Sequence, residues 1–349
     1  MHILIIGAGG MIGRKLAATL GRSGSLGGDA ITRMTLVDVT PPPLPANVSV
    51  PAEALAADIS ESGAAEALAA RRADVIFHLA AIVSGEAERN FELGYRVNLD
   101  GTRLLLEAIR REGSRQAYVP KFVFSSSIAV YGSPFPDPIP DDYVLAPLTS
   151  YGVQKAISEL LLADYSRRGF IDGVGIRLPT IVIRPGAPNA AASGFFSGIL
   201  REPLAGQRAV LPVEETVKHW LASPRSAIKF LIHAATLDTA ALGVRRTLTM
   251  PGVAATVADQ IAALRRAAGP EAADLIDRRP DEAIEGIVAG WPKSFTPERA
   301  TQLGFSAETT VDELIEVYLA EDAPGASGGD DRHGTPAYAR LQRQKDLRR

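Results

Sequence analysis

The sequence predicts an α/β chain: a doubly wound parallel sheet with helices on both faces, and a smaller lobe built from the later residues. Three observations lead there. Short apolar runs alternate with longer helical patterns through the first half of the chain. The runs HILII, VIFHL and FVFS are apolar without alternation, as strands covered on both faces are. The first of them passes directly into a glycine-rich turn and then a helical pattern.

Each element follows from its own residues. His2 to Ile6 reads as a buried strand ended by Gly7, and Met11 to Leu20 as a helix. Thr35 to Val39 is the second strand, Ser62 to Arg71 a helix and Val75 to Leu79 the third strand. Asn98 to Arg111 reads as helical, Lys121 to Ser125 as a strand, Tyr151 to Arg168 as a long helix and Gly173 to Leu178 as a further strand. After Leu178 the rhythm changes, because prolines at 179, 185, 188, 203 and 212 interrupt it. Residues 256–270 and 311–320 are helical in pattern, with the strand-like RTLTM between the lobes. The expected organisation is a nucleotide-binding-type domain over 1–178 and a lobe over 179–320 that returns once to the sheet. From 321 to 349 glycine, proline and charge dominate, so a mobile tail is expected.

Composition narrows the function. The chain has 349 residues, 37 basic and 40 acidic, for a formal net charge of −3, and no segment interleaves basic with aromatic residues as a nucleic-acid footprint would. With no cysteine, thiolate catalysis, disulfides and cysteine-held metals are excluded. The five histidines are scattered and no carboxylate cluster has metal spacing, so no metal is expected. The opening apolar run is too short for a secretory signal, and no run reaches the ~18 residues of a membrane span. A cytoplasmic location is expected.

The glycines fit GxxGxxG through Gly7, Gly10 and Gly13 at the strand-to-helix junction. Gly7 permits the tight turn, Gly10 lets backbone N–H groups approach a pyrophosphate, and Gly13 lets the helix pack close. Met11 and Ile12 belong to the same turn. Asp38, ending the second strand, can accept from both ribose hydroxyls and would repel a 2′-phosphate, which favours NAD over NADP; Arg14 and Arg33 weigh the other way. Asp58 and Ile59 suit either an adenine contact or a surface turn.

Tyr151 and Lys155 lie at i and i+4 on one helix face. A free tyrosine, with a pKa of about 10, is a poor base at neutral pH, but a neighbouring ammonium and a nicotinamide cation both favour the phenolate. Ser125, Ser126 and Ser127 end a strand, the last of them 24 residues before Tyr151, and a hydroxyl there can hold a reacting oxygen.

The glycine turn, Asp38, HLAA at 78–81, YRVNLDGT at 95–102, SSSIAVYG at 125–132 and YGVQK at 151–155 resemble the extended short-chain dehydrogenases, over about residues 1–320. The resemblance implies a Rossmann-type sheet and NAD as cofactor. It implies Ser127, Tyr151 and Lys155 as the catalytic set with Asn98 in support, and Lys155 also on the nicotinamide ribose. Leu79, Ala80 and Ala81 would line the adenosine side, Ser125 would lie by the cofactor, and Pro179 and Thr180 by the nicotinamide. Within the family, AAIVSGEAE, PLTSYGVQKAISELLLADYSRRGF and RLPTIVIRPGAPNAAASGFFSGILREPLAGQ resemble dehydrogenases of four-carbon sugar acids, which oxidise the C2 hydroxyl to a ketone.

For such a substrate, Ser84 follows the HLAA strand, and Asn189 and Ser193 lie in a small polar loop. Arg184, His219 and Arg225 are candidate carboxylate partners, each equally readable as an ordinary loop or interdomain residue. His78 reads as a core histidine. Epimerase, threonine-type dehydrogenase and non-catalytic NAD sensor remain open, although a sensor needs no tyrosine base. The helix after Tyr151 carries Ala156, Ile157, Leu160, Leu161 and Leu162, and by the resemblance such a helix pairs across a two-fold axis, so a homodimer is expected.

Overall fold

The computed structural model describes residues 1–186 and 192–323. Its main layer is a seven-stranded parallel sheet made of β1 (His2–Ile6), β2 (Arg33–Asp38), β3 (Ala52–Ala56), β4 (Val75–His78), β5 (Lys121–Ser127), β6 (Asp172–Leu178) and, returning late in the chain, β9 (Thr247–Thr249). The spatial order is β3-β2-β1-β4-β5-β6-β9. The order reverses between β1 and β4, and ligands of doubly wound sheets bind at the carboxyl ends of the strands at such a switch point.

β1, β4 and most of β5 are buried on both faces, as their unbroken apolar runs require. Helices α1 (Met11–Ser23), α2 (Ala64–Ala69), α4 (Thr102–Arg115) and α5 (Ser150–Arg167) cover the sheet, with the short α3 (Ser84–Arg89) beyond β4. One face packs Leu16, Leu20, Phe77, Val123, Phe230 and Leu231 into the largest apolar cluster. The opposite face packs Leu4, Ile6, Ile76, Leu105, Ile109 and Phe122.

The second lobe has its own core around Val182, Ile183, Phe196, Ile199, Leu264, Leu314 and Ile315. It holds the three strands β7 (Thr180–Ile181), β8 (Lys218–Ala222) and β10 (Val253–Thr256), with α6 (Gly194–Leu204), α8 (Val257–Ala268) and α9 (Val311–Glu321). Helix α7 (Pro224–Thr236), although late in sequence, packs its Ala227, Phe230 and Leu231 into the main sheet's cluster.

Some elements differ from the sequence expectation. The helix expected from Asn98 begins earlier, as a π-helical turn over Tyr95–Gly101 that continues into α4. Strand β5 extends to Ser127, so all three serines lie on it. Helix α9 runs to Glu321, and Glu321 and Asp322 pair with Lys15 on α1, which fastens the first residues of the segment expected as a tail. Residues 324–349 lie outside the described residues. Among the described residues no helix is long and apolar enough to cross a membrane.

Candidate active site

The switch point is built by two segments that touch. Gly7 stands at φ +88°, and a Cβ there would lie 2.5 Å from the Ala80 backbone nitrogen and 2.7 Å from the Leu79 carbonyl carbon. Only glycine allows that turn and that approach together. At Gly13 a Cβ would meet the Gly7 carbonyl oxygen at 2.3 Å, so this glycine is demanded by helix–strand packing. Gly10 differs. Its φ is −69°, and a Cβ there would meet only the Gly7 oxygen, at 3.5 Å. Neither backbone nor packing needs glycine at position 10; the absent side chain leaves space in front of α1, whose N-terminus has no side-chain cap and no acidic first turn. That is the geometry an anionic pyrophosphate requires. The residues therefore fit a dinucleotide. Accordingly, Gly13→Ala is expected to damage the fold, whereas Gly10→Ala keeps its melting midpoint and weakens NAD binding about tenfold, ~1.4 kcal/mol, as calorimetry and thermal melts would read.

Asp38 is held at the end of β2 by two backbone donors, Gly9 N–H at 2.8 Å and Val39 N–H at 2.8 Å. Gly9, absent from the expected GxxGxxG set, is what fixes this carboxylate; the signal was its place between Gly7 and Gly10. Met11 and Ile12 form the first turn of α1 and pack partly on the core. Asp58 is engaged locally, accepting from the Ser60 N–H (2.9 Å) and hydroxyl (2.6 Å). The Ile59 side chain is buried in the core beside Gly101.

The reacting cluster is assembled by β5 and α5. Thr149 caps α5, its hydroxyl accepting from Gly152 N–H, and starts the helix immediately before Tyr151. Lys155 is buried, 2% exposed; its Nζ donates to the Ser125 carbonyl at 2.8 Å and lies 4.7 Å from the Phe124 ring centroid and 5.7 Å from that of Tyr151. The Ser125 hydroxyl donates to the His78 carbonyl. Ser127 Oγ accepts from Ala129 N–H at 3.1 Å, so its own hydrogen is available, and it interacts with the Tyr151 phenol.

Burial dominates the electrostatics, and this corrects the simple expectation of a phenol lowered by its lysine. Desolvation pushes Tyr151 up to about 12, against the pull of the Ser127 hydroxyl and the Arg184 charge. Desolvation also pulls Lys155 down to about 7, against the attraction of Glu159. The chain alone thus keeps the phenol protonated at neutral pH, and any cation brought to the site acts in the direction that Ser127 and Arg184 already act.

Asn98 is buried in the π-helical turn. Its Oδ1 accepts from Ile82 N–H at 2.7 Å, and its Nδ2 donates to the Ile82 carbonyl at 3.1 Å and to Gln154 Oε1 at 2.7 Å. Asn98 therefore fixes the strand following Ala81 and braces α5 between Tyr151 and Lys155. Gln154, the residue that receives it, was visible in YGVQK but carried no chemical signal. Behind the cluster, the buried Glu159 accepts from Ser126 Oγ (2.5 Å) and from Arg177 through both oxygens, and Arg177 also reaches Tyr131 and Thr249. The sequence reading passed over this pair, since a carboxylate one turn beyond a lysine reads as ordinary surface charge.

On the second lobe, Pro179 leads into Thr180, whose hydroxyl bonds His219 Nε2 at 2.7 Å, while His219 Nδ1 donates to the Pro292 carbonyl at 2.8 Å. Burial pulls His219 down to about 4, so it is neutral and fully engaged. It is not the cationic carboxylate partner it was offered as. His78 is fully buried between Phe122 and Phe124, bonds Thr102 and is pulled down to about 3, as a core histidine. Arg184 and Ser193 come together, Nη2 to Oγ at 3.0 Å. Ser84 opens α3 just past the Ile82 segment that Asn98 holds. Arg225 is not at the site: it lies in the first turn of α7 and is neutralised by Glu321 at 2.5 Å. Asn189 lies outside the described residues.

A family model described as the NAD dependent epimerase/dehydratase family matches residues 3–220, the whole of the sheet's first six strands and the cluster above. The chain belongs to that family. It is similar along nearly its full length to a D-erythronate dehydrogenase of Cupriavidus necator, 46% identical over 93% of this chain and 99% of the relative. It is also similar to one of Haemophilus influenzae, 38% identical over 92% and 100%. Among solved structures, one described as the nucleoside-diphosphate-sugar epimerase from Agrobacterium tumefaciens superposes with a TM-score of 0.91, at 59% identity over 92% of this chain and 94% of that one.

Proposed function

We propose that the protein is an NAD-dependent dehydrogenase that oxidises the C2 hydroxyl of a four-carbon sugar acid, D-erythronate, to 2-oxo-tetronate. The observation that carries this reading is the full-length similarity to D-erythronate dehydrogenases together with a complete Ser127, Tyr151 and Lys155 cluster at the switch point.

NAD, when bound, supplies the acceptor for the C2 hydride. The glycine turn would hold its pyrophosphate, Asp38 the adenosine ribose, and Lys155 the nicotinamide ribose with the N–H groups not given to Ser125. Leu79, Ala80, Ala81, Pro179 and Thr180 would flank it. Tyr151 takes the hydroxyl proton as the phenolate, and Ser127 donates its hydrogen to the same oxygen as the carbonyl forms. Asn98 keeps α5 in place through Gln154.

The test is NADH formation by purified protein with D-erythronate, beside L-threonine, a nucleotide sugar and NADP in place of NAD. Turnover of D-erythronate with NAD supports the reading. Retained NAD and interconversion of the nucleotide sugar without net NADH would favour the epimerase, the description carried by the Agrobacterium relative. The homodimer is likewise proposed: Leu160 on α5 is 69% exposed despite its apolar surroundings in sequence. Light scattering is expected to give twice the mass of the chain, and a monomer at micromolar concentration would refute it.

A further inference from the structure

We infer that Arg184 is the anion-binding residue of this site, and that it grips a carboxylate on the carbon next to the hydroxyl that Tyr151 deprotonates. The inference rests on the dehydrogenase reading and assigns the residue that selects 2-hydroxy acids over neutral polyols.

Arg184 follows β7 and is anchored at both ends by neutral groups. Its backbone N–H donates to Ser197 Oγ at 3.1 Å, and its carbonyl accepts from Arg201 Nη1 at 2.8 Å. The guanidinium donates from Nε to the Ile181 carbonyl at 2.9 Å and from Nη2 to Ser193 Oγ at 3.0 Å. These two side-chain bonds use two of its five N–H groups and neutralise none of its charge. Among the described residues no carboxylate pairs with it, and the nearest other charge acting on it, Arg201, is also positive. Arg201 is itself paired with Glu202 at 2.5 Å.

The contrast with Arg177 is instructive. Both arginines are largely buried, but Arg177 has a bidentate carboxylate in Glu159. A buried charge without a counterion is costly, and a fold that keeps one beside a reacting group holds it for an anion. The planar fork suits a carboxylate better than a single-point ammonium would. The other cationic candidates are spent: Lys155 donates to Ser125, His219 is neutral, and Arg225 is paired with Glu321.

The charge of Arg184 acts directly on the Tyr151 phenol. An anion that satisfies Arg184 must therefore lie close to the oxygen that Tyr151 serves. In a 2-hydroxy acid the carboxylate and the reacting hydroxyl are on adjacent carbons. In a sugar nucleotide oxidised at its C4 the diphosphate is several bonds away, so the same arginine does not suit it.

The experiment compares wild type with Arg184→Gln and Arg184→Lys on D-erythronate and on its neutral amide, with NAD affinity and thermal midpoint measured on each protein. Arg184→Gln is expected to lower kcat/KM for the acid about a hundredfold while barely changing that for the amide, and Arg184→Lys to fall between. NAD affinity should be unchanged, which separates this role from a collapsed site. An equal loss on acid and amide, or no loss, would overturn the assignment. Calorimetric binding of D-erythronate to the protein with NADH keeps the two readings apart. If the wild type binds the acid without oxidising it, the dehydrogenase reading fails while loss of binding in Arg184→Gln still supports Arg184. Unaltered binding in that variant, or none by the wild type, refutes the anion site.

Discussion

Tyr151→Phe is expected to lower kcat for NADH formation by about 10³-fold, within the range for loss of a positioned general base, with NAD affinity and melting midpoint little changed. The substitution removes one oxygen. The ring stays between Lys155 and Ser127, and Lys155 keeps its bond to the Ser125 carbonyl, so no buried cation is left newly unpaired. The pH dependence supplies a second reading. In the protein alone burial holds the phenol up to about 12, so below the pKa of the working complex only a small fraction is phenolate, and that fraction grows tenfold per pH unit. Wild-type kcat/KM should therefore climb with pH, and positive charge from the cofactor moves the plateau below 12. The residual activity of Tyr151→Phe should be flat over the same range. A variant retaining a tenth of the activity with the wild-type slope would show that another group takes the proton.

The cluster was legible because its chemistry is local in sequence. Tyr151 and Lys155 are one helical turn apart, the serines end one strand, and the glycines sit in one turn, so spacing alone brought each group into register. Burial was not legible. The sequence reading gave Lys155 the task of lowering the phenol, yet desolvation outweighs it, and the cation acting on Tyr151 comes from Arg184, on the other lobe and 33 positions along the chain. Which of three basic residues would face the site depended on tertiary partners. Glu321, at the far end of α9, claims Arg225; the neutral Thr180 and Pro292 engage His219; only neutral acceptors reach the Arg184 side chain among the described residues.

The fold divides in the same way. The central strands are uniform apolar runs and were read nearly to their ends. β3, AEALA, is a half-exposed edge strand made mostly of alanine, and neither propensity nor period marks it. Helix α7 did carry a signal that went unread, Ser223 as cap with Pro224 in the first helical position. Its place against the main sheet could not be inferred, because its contacts with the β5 and β6 side of the core span more than 50 residues of chain.

Breaking the pair behind the site should have the largest effect on stability. Glu159 is 4% and Arg177 11% exposed at the side chain, and they meet through two oxygens and two nitrogens. Glu159→Gln leaves a buried guanidinium without its counterion, a loss of about 3–5 kcal/mol, readable as a lower denaturant midpoint. It also removes the negative charge that supports the Lys155 ammonium. The sign follows: with Glu159 gone the lysine pKa falls below its present value of about 7, so the ammonium is lost at lower pH and the alkaline limb of activity moves down. The double variant Glu159→Leu with Arg177→Met separates these effects. Replacing both charges with apolar groups of similar size should restore most of the lost stability. Lys155 would still lack its nearby carboxylate, so the pH profile should stay displaced. If the profile recovers together with the midpoint, Glu159 acts on Lys155 only by packing α5 against β5 and β6, and its charge plays no part in the proton chemistry.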